Sequence, residues 1–199
     1  MIDTNQPGLI RPLPPVTQQT DAYCGPAVIQ LLMAHLHRKF TQDQIVTAAG
    51  VSDRIEEYGT SPHDLAMAVR RLTPDLQLWF KQPANWVDLD YLLHTYHFPV
   101  VVNWQGLFYD TVEEEALKST GDDRGHYCIV TDIDLREQQI TLYDPYSEYS
   151  VKPRVFDLNW FAGRWWDENE DMDTKQLIFI LTSNQAQFPK MLGMTNSLN

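Results

Sequence analysis

With 199 residues the chain is long enough to bury one sizeable core and too short for two ordinary domains. Its 43% hydrophobic and 21% charged residues exclude a disordered or low-complexity protein. Fifteen Lys and Arg against 27 Asp and Glu give a formal net charge of −12, which excludes the basic footprint that nucleic acid or an anionic membrane surface demands. A basic peptide or protein suits that field better, although an acidic balance more often serves only solubility.

No run of eighteen apolar residues occurs, and the N-terminus has neither a charged n-region nor an apolar h-region. We therefore expect no membrane insertion and a cytoplasmic protein, with export by a specialised machine left open. Cys24 and Cys128 read as thiols rather than as a disulfide, because a chain of this length needs no staple. Residues 1–15, with Pro7, Pro12, Pro14 and Pro15, read as an extended segment.

From Cys24 onward Ala27, Val28, Leu31, Leu32 and His35 recur at helical spacing, and Gly25-Pro26 suits a first turn. Thr41 to Gln44 has the capping-box form, and Gly50 stops the second helix. Ser61 as N-cap, Pro62 and Asp64 start a third helix, whose Leu65, Ala68, Val69 and Leu72 face the core until Pro74 ends it. Leu76, Leu78 and Phe80 alternate with polar neighbours and Trp79 as a half-buried strand, and 87–96 reads as a fourth helix.

After Pro99 the character changes. Residues 100–104, 126–133, 139–143 and 176–182 read as strands, with 134–138 turning the middle two into a hairpin. Helices followed by antiparallel strands make the fold class α+β. The organisation is one domain over 16–182 between the N-terminal segment and a loose tail, 183–199. Asp167 to Asp173 reads as a solvated acidic loop.

Cys24 stands immediately before Gly25-Pro26 at a helix start. There the free amides and the macrodipole favour a thiolate, and glycine leaves room for a substrate. Gln18, six residues upstream, can fold its amide over the site as an oxyanion donor beside the Cys24 backbone N–H; such a donor is worth about 3 to 4 kcal/mol in acyl transfer. Gln19 competes for that role, and either glutamine can be a surface residue.

His126 opens a strand, where its ring can reach a helix tip and shuttle a proton. Asp144 leaves the next strand in an Asp-Pro turn. With the hairpin centred near Arg136, residue 126 faces about residue 146, so Asp144 falls within roughly one pair of His126, the geometry an orienting carboxylate needs. Taken singly, each residue has a plain reading as a buried thiol, a core-edge histidine or a turn starter. Taken together they run in one order: donor, nucleophile, base, carboxylate.

The stretch from Gln18 to Ala27, Gly125-His126-Tyr127 and Asp144-Pro145 resembles the bacteriocin-processing, double-glycine leader peptidases and their stand-alone relatives in the papain-like group. The resemblance covers about 16–182 and includes the Gly59 to Leu65 helix start and the 99–103 strand. It implies a papain-like fold, an N-terminal helical lobe bearing Cys24 packed on an antiparallel sheet bearing His126 and Asp144, with Gln18 in the oxyanion hole. It also implies a cysteine peptidase or amide hydrolase that works through a thioester and takes a peptide or protein substrate. In the transporter-linked members a membrane region follows this domain; we expect none here and do not carry over leader removal during export. The chain also has an insertion-like stretch from Gly106 to Arg124, with Glu113, Glu114 and Glu115, that can shape the cleft.

No cofactor or metal is expected. His94 and His97 lack a partner with zinc spacing, His35 and His37 do not share a helix face, and Cys128 reads as a buried strand cysteine beside the site. Asn103 and Trp104 are candidates for the cleft border, and Trp104, Trp165 and Trp166 for substrate subsites, with plain packing as the commoner role. Two other functions fit the same constellation: an inactive module that binds a peptide or partner protein, and an acyltransferase that passes the thioester to an amine or thiol.

Overall fold

The computed structural model describes residues 13–108, 124–168 and 173–197. The first half is helical: α1 (Cys24–His35), α2 (Gln42–Ala49), a short α3 (Ile55–Tyr58) and α4 (Pro62–Leu72). Strand β1 (Leu76–Lys81) and helix α5 (Trp86–Asp90), which continues as a π-helical turn over Tyr91–Thr95, lead to β2 (Val100–Gln105). The second half holds β3 (Gly125–Asp134), β4 (Gln139–Tyr143), β5 (Arg154–Asp157), α6 (Leu158–Ala162), the small pair β6 (Trp166–Glu168) and β7 (Asp173–Lys175), β8 (Ile178–Ser183) and α7 (Phe188–Met191). Among the described residues no helix is long and apolar enough to cross a membrane.

The helix starts follow from capping. Thr41 and Ser61 each close a capping box, with Gln44 and Asp64 at the third helical position, and Gly50 ends α2 in the left-handed conformation that glycine adopts without strain. Asn85 caps α5 in the same way. Helix α1 differs, because its start at Tyr23 has no side-chain cap.

The main sheet is antiparallel throughout, in the order β1-β8-β2-β3-β4-β5. One face carries α1, α2 and α4 around Val28, Ile29, Leu31 and Leu65, packed on Val101, Tyr127, Ile129 and Phe179. The other face carries Trp79, Val102, Trp104, Cys128, Val130 and Leu142 against Leu89, Phe161 and Trp165. Cover on both faces is why β2 is buried at every position and why Trp79, expected on an exposed face, is buried too. It also explains why α1 buries nine of its 12 residues, more than one helical stripe.

Trp104 and Trp165, candidates for substrate subsites, are fully buried core residues, whereas Trp166 is exposed. Asp167, expected in a solvated loop, lies in β6, is 3% exposed and accepts a 2.9 Å hydrogen bond from Asn103 Nδ2. Past Ser183 the chain forms α7 and bridges back to β1 through a Phe80–Thr195 pair, with Met194 buried. Residues 1–12, and Glu113, Glu114 and Glu115 of the insertion-like stretch, lie outside the described residues.

Candidate active site

The hairpin arithmetic locates the histidine and the aspartate. Strands β3 and β4 pair Ile129 with Tyr143 and Val130 with Leu142, with a bulge before Asp132. One further pair sets Asp144 across from Cys128, with His126 two residues up the same face of β3. There His126 Nε2 meets Asp144 Oδ1 at 2.8 Å, with both side chains almost completely buried. Asp144 Oδ1 also accepts the Tyr146 backbone N–H at 2.9 Å, and Oδ2 accepts Arg154 Nη1 at 2.5 Å.

Burial alone would lower the pKa of the His126 imidazole, but the Asp144 carboxylate, helped by the Cys128 thiol, outweighs it and holds the ring well above its ordinary value. The Asp144 carboxyl is opposed by its own burial, yet His126, the Tyr146 amide and Arg154 hold it below the usual carboxylate range. Burial, with Asp144 second, pushes the Cys128 thiol up to about 11, so it is a neutral S–H; its sulfur receives the Trp104 indole N–H at 3.3 Å. Phe108 and Tyr146 enclose the His126 ring edge-on, with centroids at 5.1 and 6.5 Å.

Cys24 occupies the first position of α1, 9% exposed, in the cluster with Tyr127 and Ile129 on the helix-bearing face. Its sulfur makes no side-chain hydrogen bond among the described residues. The Cys24 and Gly25 amides of α1 lie at this helix end with no side-chain cap, whereas Pro26 has no N–H and the Ala27 N–H donates to Tyr23 O at 2.9 Å. Gly25 does not open space for a substrate: its Cα abuts Thr60 and Leu65 at the start of α4, so closely that an added Cβ would stand 2.1 Å from Thr60 Oγ1.

The loop before α1 is tied to the Asp144 turn. Gln18 N–H donates to Pro145 O at 2.8 Å, and Tyr143 Oη bonds both Val16 N and Val16 O. Gln18 thus stands against the Asp144-Pro145 turn, buried, whereas Gln19 is exposed. The Gln18 side-chain amide donates to Thr20 O at 2.8 Å and Asp21 O at 3.1 Å, and its Oε1 is buried without a partner. Both amide hydrogens are therefore used within the loop.

The fold brings His126, Asp144 and Cys128 side by side and binds the Gln18 loop to the Asp144 turn. It sets Cys24 on the neighbouring helix tip with no hydrogen bond to the imidazole. One donor atom each from His126, Cys128 and Asp144 lies within 4.8 Å of the others. This does not fit a metal ion, since both Asp144 oxygens are engaged and a guanidinium adjoins them. Arg154 and Phe108 escaped sequence reasoning because neither belongs to a motif. Extending the strand pairing to β5, where Leu142 faces Arg154, is the signal that finds the arginine.

Solved structures with this architecture include three peptidase domains. The peptidase domain of Streptococcus ComA, a bi-functional ABC transporter of a quorum-sensing pathway, is 18% identical, with a TM-score of 0.57 over 85% of this chain and 97% of that one. A double-glycine-motif protease from an AMS/PCAT transporter, solved with its leader peptide, is 13% identical, with a TM-score of 0.52 over 86% and 92%. The N-terminal peptidase C39-like domain of a toxin-secretion ATP-binding protein from Vibrio parahaemolyticus is 12% identical, with a TM-score of 0.51 over 81% and 97%. No curated protein matches the chain. Residues 10–170 match the Peptidase C39-like family, and the chain, with its helical lobe on an antiparallel sheet, belongs to that family and has its papain-like fold.

Proposed function

We propose that the protein is a cysteine peptidase or amide hydrolase with Cys24 as nucleophile, His126 as acid and base, and Asp144 as the group that orients the imidazole. The observation that carries this reading is the buried 2.8 Å His126–Asp144 hydrogen bond in a chain of a peptidase family. With Nε2 held by Asp144 and Cys128 already bonded to the ring, Cys24 takes its place at Nδ1 in this reading, and a ring kept cationic by Asp144 is the counter-ion that a thiolate needs. Cys24 then attacks a peptide carbonyl, the imidazolium protonates the leaving amine, and water activated by the neutral imidazole releases the acid from the thioester. The uncapped amides of α1 are the oxyanion donors nearest the sulfur. Gln18 joins them once its amide turns away from Thr20 and Asp21. A peptide substrate is consistent with the leader peptide bound by the AMS/PCAT neighbour.

Cys24→Ala should abolish cleavage of a peptide library read by mass spectrometry, together with labelling by an electrophilic amide probe. Retained cleavage would sink the assignment. One observation favours a second reading, a peptide-binding module without turnover: the Gln18 amide hydrogens are engaged and Cys24 is not bonded to His126. Iodoacetamide at pH 6 separates the two. A peptidase alkylates Cys24 far faster than Cys128, whose thiol stays neutral, whereas a binding module alkylates both slowly. Added amines, followed by product analysis, distinguish acyl transfer from hydrolysis.

A further inference from the structure

The catalytic pair contains more charge than two residues account for. Asp144 is 0% exposed and faces two cationic groups, the His126 ring on Oδ1 and the Arg154 guanidinium on Oδ2. Arg154 opens β5 opposite Leu142, so its side chain lies on the sheet face that carries Asp144. It is held there firmly. Nη2 donates to Leu107 O at 2.9 Å, the guanidinium stacks 3.8 Å from the Tyr149 ring centroid, and the side chain is 9% exposed. A guanidinium with that many constraints is held in one orientation, and its Nη1 anchors Asp144 Oδ2 while His126 and the Tyr146 N–H hold Oδ1.

We propose that Arg154 is a positioning residue of the His126–Asp144 pair, whose guanidinium aims the carboxylate and keeps it ionised whether or not the imidazole carries a proton. This deepens the reading of His126 as the acid–base group and rests on it. The physical reason is the neutral-imidazole half of the cycle. With Asp144 paired to His126 alone, giving up the ring proton would leave a carboxylate buried and uncompensated, a state costly enough to hold the proton on the ring. Arg154 supplies a permanent counter-charge in that state. The histidine can then both release a proton and regain one while Asp144 stays anionic.

Among the described residues, the side chains that bond Asp144 are those of His126 and Arg154. Cys128 on β3 is a neutral thiol, and Tyr146 meets the imidazole with its ring at 6.5 Å between centroids. Asp167 on β6 adds negative charge beside Gly125 and bonds Asn103. Arg164, after α6, directs its guanidinium to Gln105 O and Gly106 O.

The test is the NMR titration of the His126 ring in a Cys24→Ala background, with the resonance assigned by its loss in His126→Gln. This readout is independent of turnover. Arg154→Gln should move the titration midpoint up by about one pH unit or more, and Arg154→Lys, which keeps the charge, should leave it within a few tenths of the parent. Arg154→Met, an uncharged side chain of similar reach that can still pack on Tyr149, serves if the glutamine variant does not fold. An unchanged midpoint in the neutral variants overturns the proposal, and an equal shift in Arg154→Lys overturns the role of charge. A shifted midpoint in a protein whose Cys24 proves unreactive would leave the coupling standing and refute only the peptidase reading.

Discussion

Gly25→Ala tests how tightly the nucleophile-bearing helix is seated. The added Cβ would stand 2.1 Å from Thr60 Oγ1 and 3.2 Å from Leu65 Cδ2, where ordinary contact begins near 3.4 Å. Thr60 must therefore retreat by 3.4 − 2.1 = 1.3 Å, yet its carbonyl is fixed by Tyr127 Oη at 3.1 Å and it precedes the Ser61 cap of α4. Overpacking on that scale costs about 1–3 kcal/mol, against about 0.5–1 kcal/mol gained from the better helix former, so a net loss of about 1–2 kcal/mol is expected. Thr60→Ala alone should be close to neutral or slightly stabilising, because Thr60 Oγ1 is buried with no hydrogen-bond partner. The double variant should recover to the parent value or above, because the clashing atom is gone, which gives a coupling of about 1–3 kcal/mol in urea denaturation followed by circular dichroism. Additivity of the two single changes within about 0.5 kcal/mol would show that Thr60 does not limit the space at Gly25.

Three further outcomes follow from other parts of the molecule. Ser61→Ala should cost about 1 kcal/mol in thermal unfolding through loss of the cap, and Asp64→Ala about 2 kcal/mol or more, because Asp64 also accepts the Ser61 N–H and pairs with Arg54 at 2.8 Å. His94 bridges Asp90 at 2.8 Å and Asp132 at 3.0 Å, and the Asp90 hydrogen bond, against partial burial, raises its pKa. A raised folded value stabilises the fold fully below the unfolded value of about 6.5 and loses that effect as pH rises through the folded value. His94→Gln should therefore remove a small stability gain, under about 1 kcal/mol for so exposed a group, seen on acidifying from about pH 8 to pH 6. Cys128→Val should cost about 1–2 kcal/mol by stranding the Trp104 indole N–H, and Cys128→Ser, which restores an acceptor, should recover part of it.

The amino-acid order alone specifies elements whose cause is local. The Thr41 and Ser61 caps, the Gly50 stop and the 134–138 turn are settled by neighbours within four residues, and the structure holds each of them. The pairing of His126 with Asp144 was also legible, because one hairpin and a count of residues from its turn bring them together. Trp104 and Asp167 were not, since burial depends on what covers a sheet face or a loop from elsewhere in the chain. Nor were the Arg154 guanidinium behind Asp144, the tie from Gln18 to Pro145, or Thr60 against Gly25, which join residues ten to 127 positions apart. Local spacing carries hydrogen-bond geometry over a few residues. Which side chains share a buried, low-dielectric space is decided only when the strands and helices pack, and the charge balance of this site is set there.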